Sequence, residues 1–200
     1  AAIWDVVRAL PALGSATVVM VYEAVQGEPD STAFVESCRV DGKVVVIPMG
    51  ANLEEAPSAP PPRDFPQGTI NLLFIGVNWE NKGGPIAVDA LRELGKRGIN
   101  ARLIVCGCDV PADVRDENIV REGFLSKSDP AQRARMDEHL RTADFLILPT
   151  RFEAYGIAFC EAAAYGIPAL GTRTGGVPTI VLEGETGHLF DLAEGGVAYA

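Results

Sequence analysis

Two glutamates, Glu153 and Glu161, stand eight positions apart at the junction between a polar loop and a helical pattern. Ionised carboxylates only accept hydrogen bonds, so they suit hydroxyl donors, and one carboxylate can accept both O–H bonds of a vicinal diol. They do not suit phosphate groups, because like charges repel. One glutamate for a ribose and one for a sugar is therefore a coherent division of roles.

The two carboxylates need elements that bring them to one edge of a sheet, and residues 145–176 contain such elements. Residues 145–148 form an apolar run that predicts a buried parallel strand. A polar loop at 149–155 leads into a helical pattern at 156–165, which a glycine and a proline then end. Residues 169–171 predict the next strand.

This order of elements suits a ligand that carries phosphates. In open α/β sheets, ligands bind beyond the carboxyl ends of the strands. A helix that begins there offers N–H groups and partial positive charge to a phosphate, and Gly156 at its start lets the backbone approach closely. Glu153 would lie at the mouth of the sheet, and Glu161 would lie more than one turn into the helix.

The sequence RFEAYGIAFCEAAAYGIPALGTRTGG resembles the E-x7-E region of retaining glycosyltransferases with the GT-B fold, family-four type, also described as glycosyl transferases group 1. Two glutamates at this spacing are common by chance. The surrounding P-T-R-F-E-A-Y-G, E-A-x-x-x-G-x-P and G-G make the match specific. Without them, the two side chains would be interpreted as solvated glutamates on a helix face.

The resemblance implies a role for each residue of this region. Glu153 would contact the donor sugar as the catalytic residue, and Glu161 would bind the ribose of the nucleotide. The backbone amides of Tyr155, Gly156 and Ile157 would hold the distal phosphate.

The loop at residues 76–84, GVNWENKGG, resembles the glycine-rich loop in which the family holds the donor diphosphate with a basic pair. Lys82 and the adjacent Gly83 match the lysine of that pair. The arginine that usually follows the first glycine is missing, and Val77 and Asn78 occupy that neighbourhood. The loop lacks the G-x-x-x-x-G-K-[ST] pattern of a Walker A loop, and it lacks the G-x-G-x-x-G of a dinucleotide site.

Other loop residues are expected at the same edge. Arg151 and Arg173 could replace the missing arginine, although a plain surface position is favoured for both. Gly123 and Phe124 resemble the segment that lines the nucleotide base, with a buried strand end as an equal alternative for Phe124. Gly175 would expose backbone N–H groups toward the sugar or phosphate.

The chain is predicted to have three parts. Residues 1–48 resemble a remnant of an N-terminal acceptor domain, with strands at 17–22 and 44–47, and most of that domain would be missing. Residues 49–68 are rich in proline, which is typical of a semi-rigid linker. Residues 69–200 alternate strand and helix, which predicts an α/β, Rossmann-like parallel sheet with helices on both faces, the C-terminal half of a GT-B fold.

The predicted elements of residues 69–200 follow from their patterns of apolar residues. Strands are expected at 70–75, 102–106, 119–124, 145–148, 169–171 and 188–190, and helices at 85–97, 130–141, 156–165 and 177–182.

The composition of the chain limits the kinds of partner that it is expected to bind. A net charge of −10 and a pI near 4.7 argue against a nucleic-acid surface. No apolar run approaches the ~18 residues of a membrane span. No metal-ligand spacing and no D-x-D motif occur, so no metal and no cofactor are expected, and a nucleotide-diphosphate sugar would be the co-substrate. Cysteines on apolar elements predict a reducing, cytoplasmic compartment, with peripheral membrane attachment through the missing domain as an alternative.

Two functional hypotheses remain from the sequence. The first is the donor-binding domain of a retaining glycosyltransferase of the hexosyltransferase type, which would be inactive alone. Its acceptor would be a sugar, a polysaccharide or a lipid-linked group. The second is a nucleotide-sugar-binding or regulatory module without transfer activity. A GT-B epimerase is a weaker alternative, because that family does not normally show this loop.

Overall fold

The structure is a computed structural model of the chain, and it describes residues 41, 50–53, 57 and 68–200. The chain divides into two compact units, Ala1–Met49 and Gly50–Ala200. The strands predicted at 17–22 and 44–47 lie outside the described residues. The predicted boundaries at residues 48 and 68 therefore stay predictions.

The described part of the second unit contains six strands, four helices and one 3-10 turn. In chain order they are β1 (Ile70–Ile75), α1 (Gly84–Lys96), β2 (Ala101–Cys106), β3 (Ile119–Gly123), α2 (Pro130–Thr142), β4 (Phe145–Leu148), α3 (Ile157–Ala164), β5 (Ala169–Thr172), the 3-10 turn Val177–Thr179, β6 (Gly187–Phe190) and α4 (Gly196–Tyr199).

The predicted strands and the first three predicted helices match these elements to within one or two residues at each end. The helix predicted at 177–182 is wrong, because only a three-residue 3-10 turn forms there. The stretch VPTIV supplies the physical reason, since β-branched side chains lose rotamer freedom in a helix. The short helix α4 was not predicted.

The six strands form one parallel sheet in the order β3-β2-β1-β4-β5-β6. The chain first builds outward from β1 to β3 and then returns to place β4 against the other side of β1. The direction of strand addition therefore reverses between β1 and β4. In an open parallel sheet this reversal opens a crevice at the carboxyl ends of the two strands, where ligands usually bind.

Both faces of the central strands are covered. Leu72, Leu73 and Phe74 follow one another in β1, and all three are buried. Side chains of consecutive strand residues point to opposite faces, so consecutive burial requires cover on both sides. This confirms the predicted Rossmann-like α/β class.

The helices that lead away from the carboxyl edge have defined starts. Asp129 accepts hydrogen bonds from the backbone N–H groups of Ala131 and Gln132 at the start of α2. Helix α1 begins instead at Gly83, in the left-handed conformation with φ 80°. A side chain on Gly83 would overlap the carbonyl oxygen of Pro149. The start of α1 and the end of β4 are therefore in backbone contact at the point of strand reversal.

Substitution of Gly83 tests this contact against a matched glycine at the other end of α1. Gly98 has a similar φ of +77°, but an added Cβ there would meet nothing within 4 Å. Gly98→Ala should lose about 1–2 kcal/mol from the backbone conformation alone. Gly83→Ala should lose roughly 2–5 kcal/mol, because overpacking adds to that strain. Denaturant unfolding of both variants measures the difference, and equal losses would contradict the contact.

Candidate functional site

An ion pair occupies the crevice between the loops that follow β1 and β4. The ammonium Nζ of Lys82 lies 2.5 Å from Oε2 of Glu153, and the two side chains are only 22% and 13% exposed. The aliphatic stem of Lys82 lies over Gly76, where an added Cβ would be 2.6 Å from its Cγ. Two residues predicted for separate parts of a donor site are therefore in direct contact.

A buried threonine, which the sequence analysis did not select, fixes the same two loops to each other. The hydroxyl of Thr150 donates to the carbonyl oxygens of Asn81 at 3.2 Å and Phe152 at 2.8 Å. The backbone N–H of Arg151 also donates to the Asn81 carbonyl, at 2.8 Å. Thr150 is fully buried. A polar residue two positions after a buried strand was the available signal, because buried hydroxyl groups need partners.

The loop after β5 supports Glu153 through backbone contacts. The N–H of Gly176 donates to the Glu153 carbonyl at 3.3 Å. Gly175 has a φ of +51°, and an added Cβ would overlap that same carbonyl oxygen. The structure thus brings Gly175 to the backbone of Glu153, which it helps to position.

Helix α3 begins beside Glu153. Its first flanking residue, Gly156, has φ 107° and is not capped by a side chain of the described residues. An added Cβ at Gly156 would lie 2.7 Å from a ring carbon of Phe159 and 3.4 Å from Cγ of Glu153. The first N–H groups of a helix carry partial positive charge. The half-buried neighbours Tyr155 and Ile157 belong to this same start, so the crevice holds hydrogen-bond donors and a cation beside one carboxylate.

The second glutamate forms a separate ion pair deeper in the fold. Glu161 is only 3% exposed, and its Oε1 accepts a hydrogen bond from Nζ of Lys127. The same ammonium donates to the carbonyl oxygen of Asn52 at 2.9 Å. Burial raises the pKa of Glu161 above its ordinary value, while Lys127 and a backbone hydrogen bond from Asn52 oppose that rise. Neither Lys127 nor Asn52 was among the predicted site residues.

The remaining predicted residues lie at other points of the carboxyl edge. Gly123 ends β3, and its carbonyl accepts a hydrogen bond from Gly107 at 2.7 Å. Phe124, which follows it, is 69% exposed, so the alternative of a buried strand end is wrong. The guanidinium of Arg173 is bound to Glu183 at 3.2 Å and to the Leu189 carbonyl at 3.1 Å.

Arg151 is exposed. That Arg151 or Arg173 takes the role of the missing arginine of the glycine-rich loop stays a prediction.

In residues 41, 50–53, 57 and 68–200, no three His, Cys, Asp or Glu side chains lie close enough together to hold a metal ion. Within the same residues, no helix combines the length and apolar character that crossing a bilayer requires.

A parallel sheet whose strand order reverses, with a paired lysine and glutamate at the reversal, has the crevice in which open α/β domains commonly bind ligands. The family described as glycosyl transferases group 1 matches residues 69–198. This match covers more than half of the chain, and the chain belongs to that family.

Curated relatives carry glycosyltransferase names. A D-inositol 3-phosphate glycosyltransferase of Corynebacterium efficiens is 32% identical over 129 residues, which are 60% of this chain and 30% of the relative. An uncharacterized glycosyltransferase of Methanocaldococcus jannaschii is 32% identical over 151 residues, which are 74% of this chain and 39% of the relative. The chain thus spans less than two fifths of the length of these relatives.

Solved structures share the fold. A lipopolysaccharide outer core galactosyltransferase has a TM-score of 0.55 at 19% identity, over 77% of this chain and 43% of that one. An Anabaena protein, described in complex with UDP and glucose, has a TM-score of 0.51 at 17% identity, over 66% of this chain and 37% of that one. At these identities the similarity establishes the fold alone.

The raised pKa of Glu161 gives a pH-dependent prediction. A carboxyl whose pKa is raised by folding destabilises the protein once it is ionised, and this cost appears as the pH rises from the unfolded pKa to the folded pKa. Glu161→Gln, which is neutral, should therefore be more stable than wild type at about pH 7. The difference in their free energy of unfolding should disappear at about pH 3.5. Denaturant unfolding at both pH values measures this change.

Glu93, whose side chain is 20% exposed, provides a control of opposite sign. Hydrogen bonds to Lys96 and Arg97 lower the pKa of Glu93, so Glu93→Gln should lose stability at neutral pH rather than gain it. If Glu161→Gln behaved like Glu93→Gln at neutral pH, the assigned direction of the Glu161 pKa shift would be wrong.

Proposed function

We propose that residues 69–198 form the donor-binding domain of a retaining, family-four glycosyltransferase that uses a nucleotide-diphosphate sugar. The observation that carries this proposal is the contact between Lys82 and Glu153 at the strand reversal, 2.5 Å apart, beside a helix start without a side-chain cap. A diphosphate needs positive charge and N–H donors, and a sugar needs a hydroxyl acceptor. The crevice offers all three within one group of loops.

The donor diphosphate would bind between Lys82 and the amides of Tyr155, Gly156 and Ile157. Lys82 would then share its ammonium between the phosphates and Glu153. The carboxylate of Glu153, held by Gly175 and Gly176 through its backbone, would accept hydrogen bonds from the sugar hydroxyls. Glu153 thereby orients the sugar without facing the phosphates directly.

Glycosyl transfer would break the bond between the anomeric carbon and the oxygen of the distal phosphate. The nucleotide diphosphate would leave with the electron pair, and the hydroxyl oxygen of the acceptor would form the new bond to the same carbon while its proton passes to the departing phosphate oxygen. The developing negative charge on the phosphate favours a cation and oriented N–H dipoles. Lys82 and the start of α3 supply these, so the proposed chemistry needs no metal.

The nucleoside would lie farther along the carboxyl edge. Glu161 would accept hydrogen bonds from the ribose hydroxyls, and backbone groups near Gly123 and Phe124 would line the base. The exposure of Phe124, 69%, supports a contact with a ligand rather than with the core. The acceptor would be a sugar, a polysaccharide or a lipid-linked group, bound outside residues 69–198. The thiols of Cys106 and Cys108, which form no disulfide within the described residues, support a reducing, cytoplasmic compartment.

A second candidate function is a nucleotide-sugar-binding or regulatory module without transfer activity. Val77, 73% exposed, stands where the family usually has an arginine, and one cation is a weaker clamp for a diphosphate than two. Both functions require donor binding, and only the first requires transfer. A product assay with the full-length protein, with donor and candidate acceptors, separates them.

Calorimetric titration of the 200-residue chain tests donor binding directly. We expect one of UDP, GDP and ADP to bind, and we expect its sugar-linked form to bind as well. The same chain should not transfer sugar through repeated turnovers, because the acceptor site would lie outside it. Absence of binding for all three nucleotides and their sugars would contradict the proposed function.

Substitutions of Lys82 and Glu153 should change the affinity for the nucleotide diphosphate in different directions. Lys82→Ala should lower this affinity about tenfold or more, because a hydrogen bond to a charged group is worth roughly 1.5–3 kcal/mol. Glu153→Ala should leave the affinity for the nucleotide diphosphate unchanged or raise it, because Lys82 is released from its ion pair. It should lower only the affinity for the sugar-linked form. Lys96→Ala removes an exposed lysine, which is paired with Glu93 at 3.2 Å, and serves as the control. Equal losses for both ligands in Glu153→Ala would refute its assignment to the sugar.

A further inference from the structure

We propose that Lys127 is a positioning residue of the nucleotide site, which keeps the Glu161 carboxylate charged and ties residues 50–53 to it. The inference rests on the proposed function, since it concerns the carboxylate assigned to the ribose. No motif in the sequence marks Lys127, which lies in the polar loop between β3 and α2.

Three segments that are distant in sequence meet at this point. Lys127 donates to the Glu161 carboxylate, 34 positions away, and to the Asn52 carbonyl, 75 positions away. Asn52 closes the triangle, because its backbone also forms a hydrogen bond with Glu161. One ammonium therefore fixes both the orientation of the carboxylate and the position of the segment that covers it.

The charge of Glu161 determines what it can do for a ribose. An ionised carboxylate can accept both hydroxyl protons of a diol, whereas a protonated carboxyl carries a donor of its own. Burial favours the protonated form and raises the pKa of Glu161, and Lys127 is the side chain that opposes this effect. The proposed function thus depends on a lysine that need not touch the substrate.

The other titratable groups that face Glu161 do not take over this role. Within the described residues, Cys160 and Tyr165 interact electrostatically with Glu161. Burial raises the pKa of both groups, that of Tyr165 to about 12. Both are therefore neutral near physiological pH, and neither supplies a positive charge at any pH.

Lys127 also borders a cleft along α2. The cleft measures about 820 Å³, and Asn52 and Lys127 line it together with residues of α2 such as Arg133 and Asp137. Ligand sites in proteins commonly have volumes of about 300–1,000 Å³. A ligand in this cleft would lie next to the ammonium that holds Glu161.

Substitution of Lys127 tests the proposal in calorimetric titrations with UDP, GDP and ADP. At neutral pH, Lys127→Met should lower the affinity for the nucleotide that binds wild type by about tenfold. The loss should shrink as the pH rises, because Glu161 regains its charge once the pH passes its raised pKa. Lys127→Arg should restore affinity, because it restores the positive charge. Lys96→Met, which removes an exposed lysine paired with Glu93 at 3.2 Å, should change nothing.

A second measurement does not depend on any ligand. NMR titration of carbon-13-labelled glutamate carboxyls follows the protonation of Glu161 in wild type and in Lys127→Met, and the midpoint should rise in the variant. Lys127→Gln keeps a hydrogen-bond donor without the charge and replaces Lys127→Met if that variant does not fold.

The outcomes separate the inference from the proposed function. If wild type binds a nucleotide and Lys127→Met binds it equally at every pH, the role of Lys127 is refuted while donor binding stands. If no nucleotide binds wild type but the Glu161 midpoint rises in the variant, the proposed function fails while the electrostatic role of Lys127 stands. An unchanged midpoint overturns the inference whatever the nucleotide does.

Discussion

The candidate site at the carboxyl edge of this sheet depends on two ion pairs, in which two lysines neutralise the charges of two carboxylates. Glu153 is paired with Lys82 and Glu161 with Lys127, and each lysine comes from a different loop. Ion pairs that are largely removed from water are weak evidence for stability, because the loss of hydration can exceed the attraction between the charges. Such pairs in a crevice are more typical of functional sites. One pair joins the loops that follow β1 and β4, and the other joins the loop that follows β3 to helix α3. The charges that would serve a ligand therefore also hold the site together.

Backbone contacts set the remaining geometry. At Gly83 and Gly175 an added side chain would overlap the carbonyl oxygens of Pro149 and Glu153, respectively. The loops can therefore approach each other this closely only because neither contact residue has a side chain. Both glycines also have positive φ angles. This close approach brings Lys82 within reach of Glu153 across the point where the order of strands reverses, which is where the fold leaves a crevice for ligands.

The sequence predicted the sheet well, because buried parallel strands are continuous apolar runs, as in Phe145–Leu148. It predicted the residues of the crevice through a family resemblance, and their contacts with a donor stay predictions. It did not predict Lys127 or Asn52, since their contacts with Glu161 join distant segments and leave no periodic pattern or motif. Thr150 was missed for a similar reason, because its partners are backbone carbonyls whose positions only the fold defines. The short helix α4, Gly196–Tyr199, has too few residues to show helical periodicity.

Amide chemical-shift mapping tests the central claim most directly, because it locates a bound nucleotide without a substitution. The chain labelled with nitrogen-15 is titrated with UDP, GDP and ADP, and the perturbed amides are placed on the sheet. The largest shifts are expected at Gly83, Gly84 and residues 155–157, at the carboxyl ends of β1 and β4. Shifts confined to the small cleft at the opposite edge, around Gly98, Asn100 and Asn118, would contradict it.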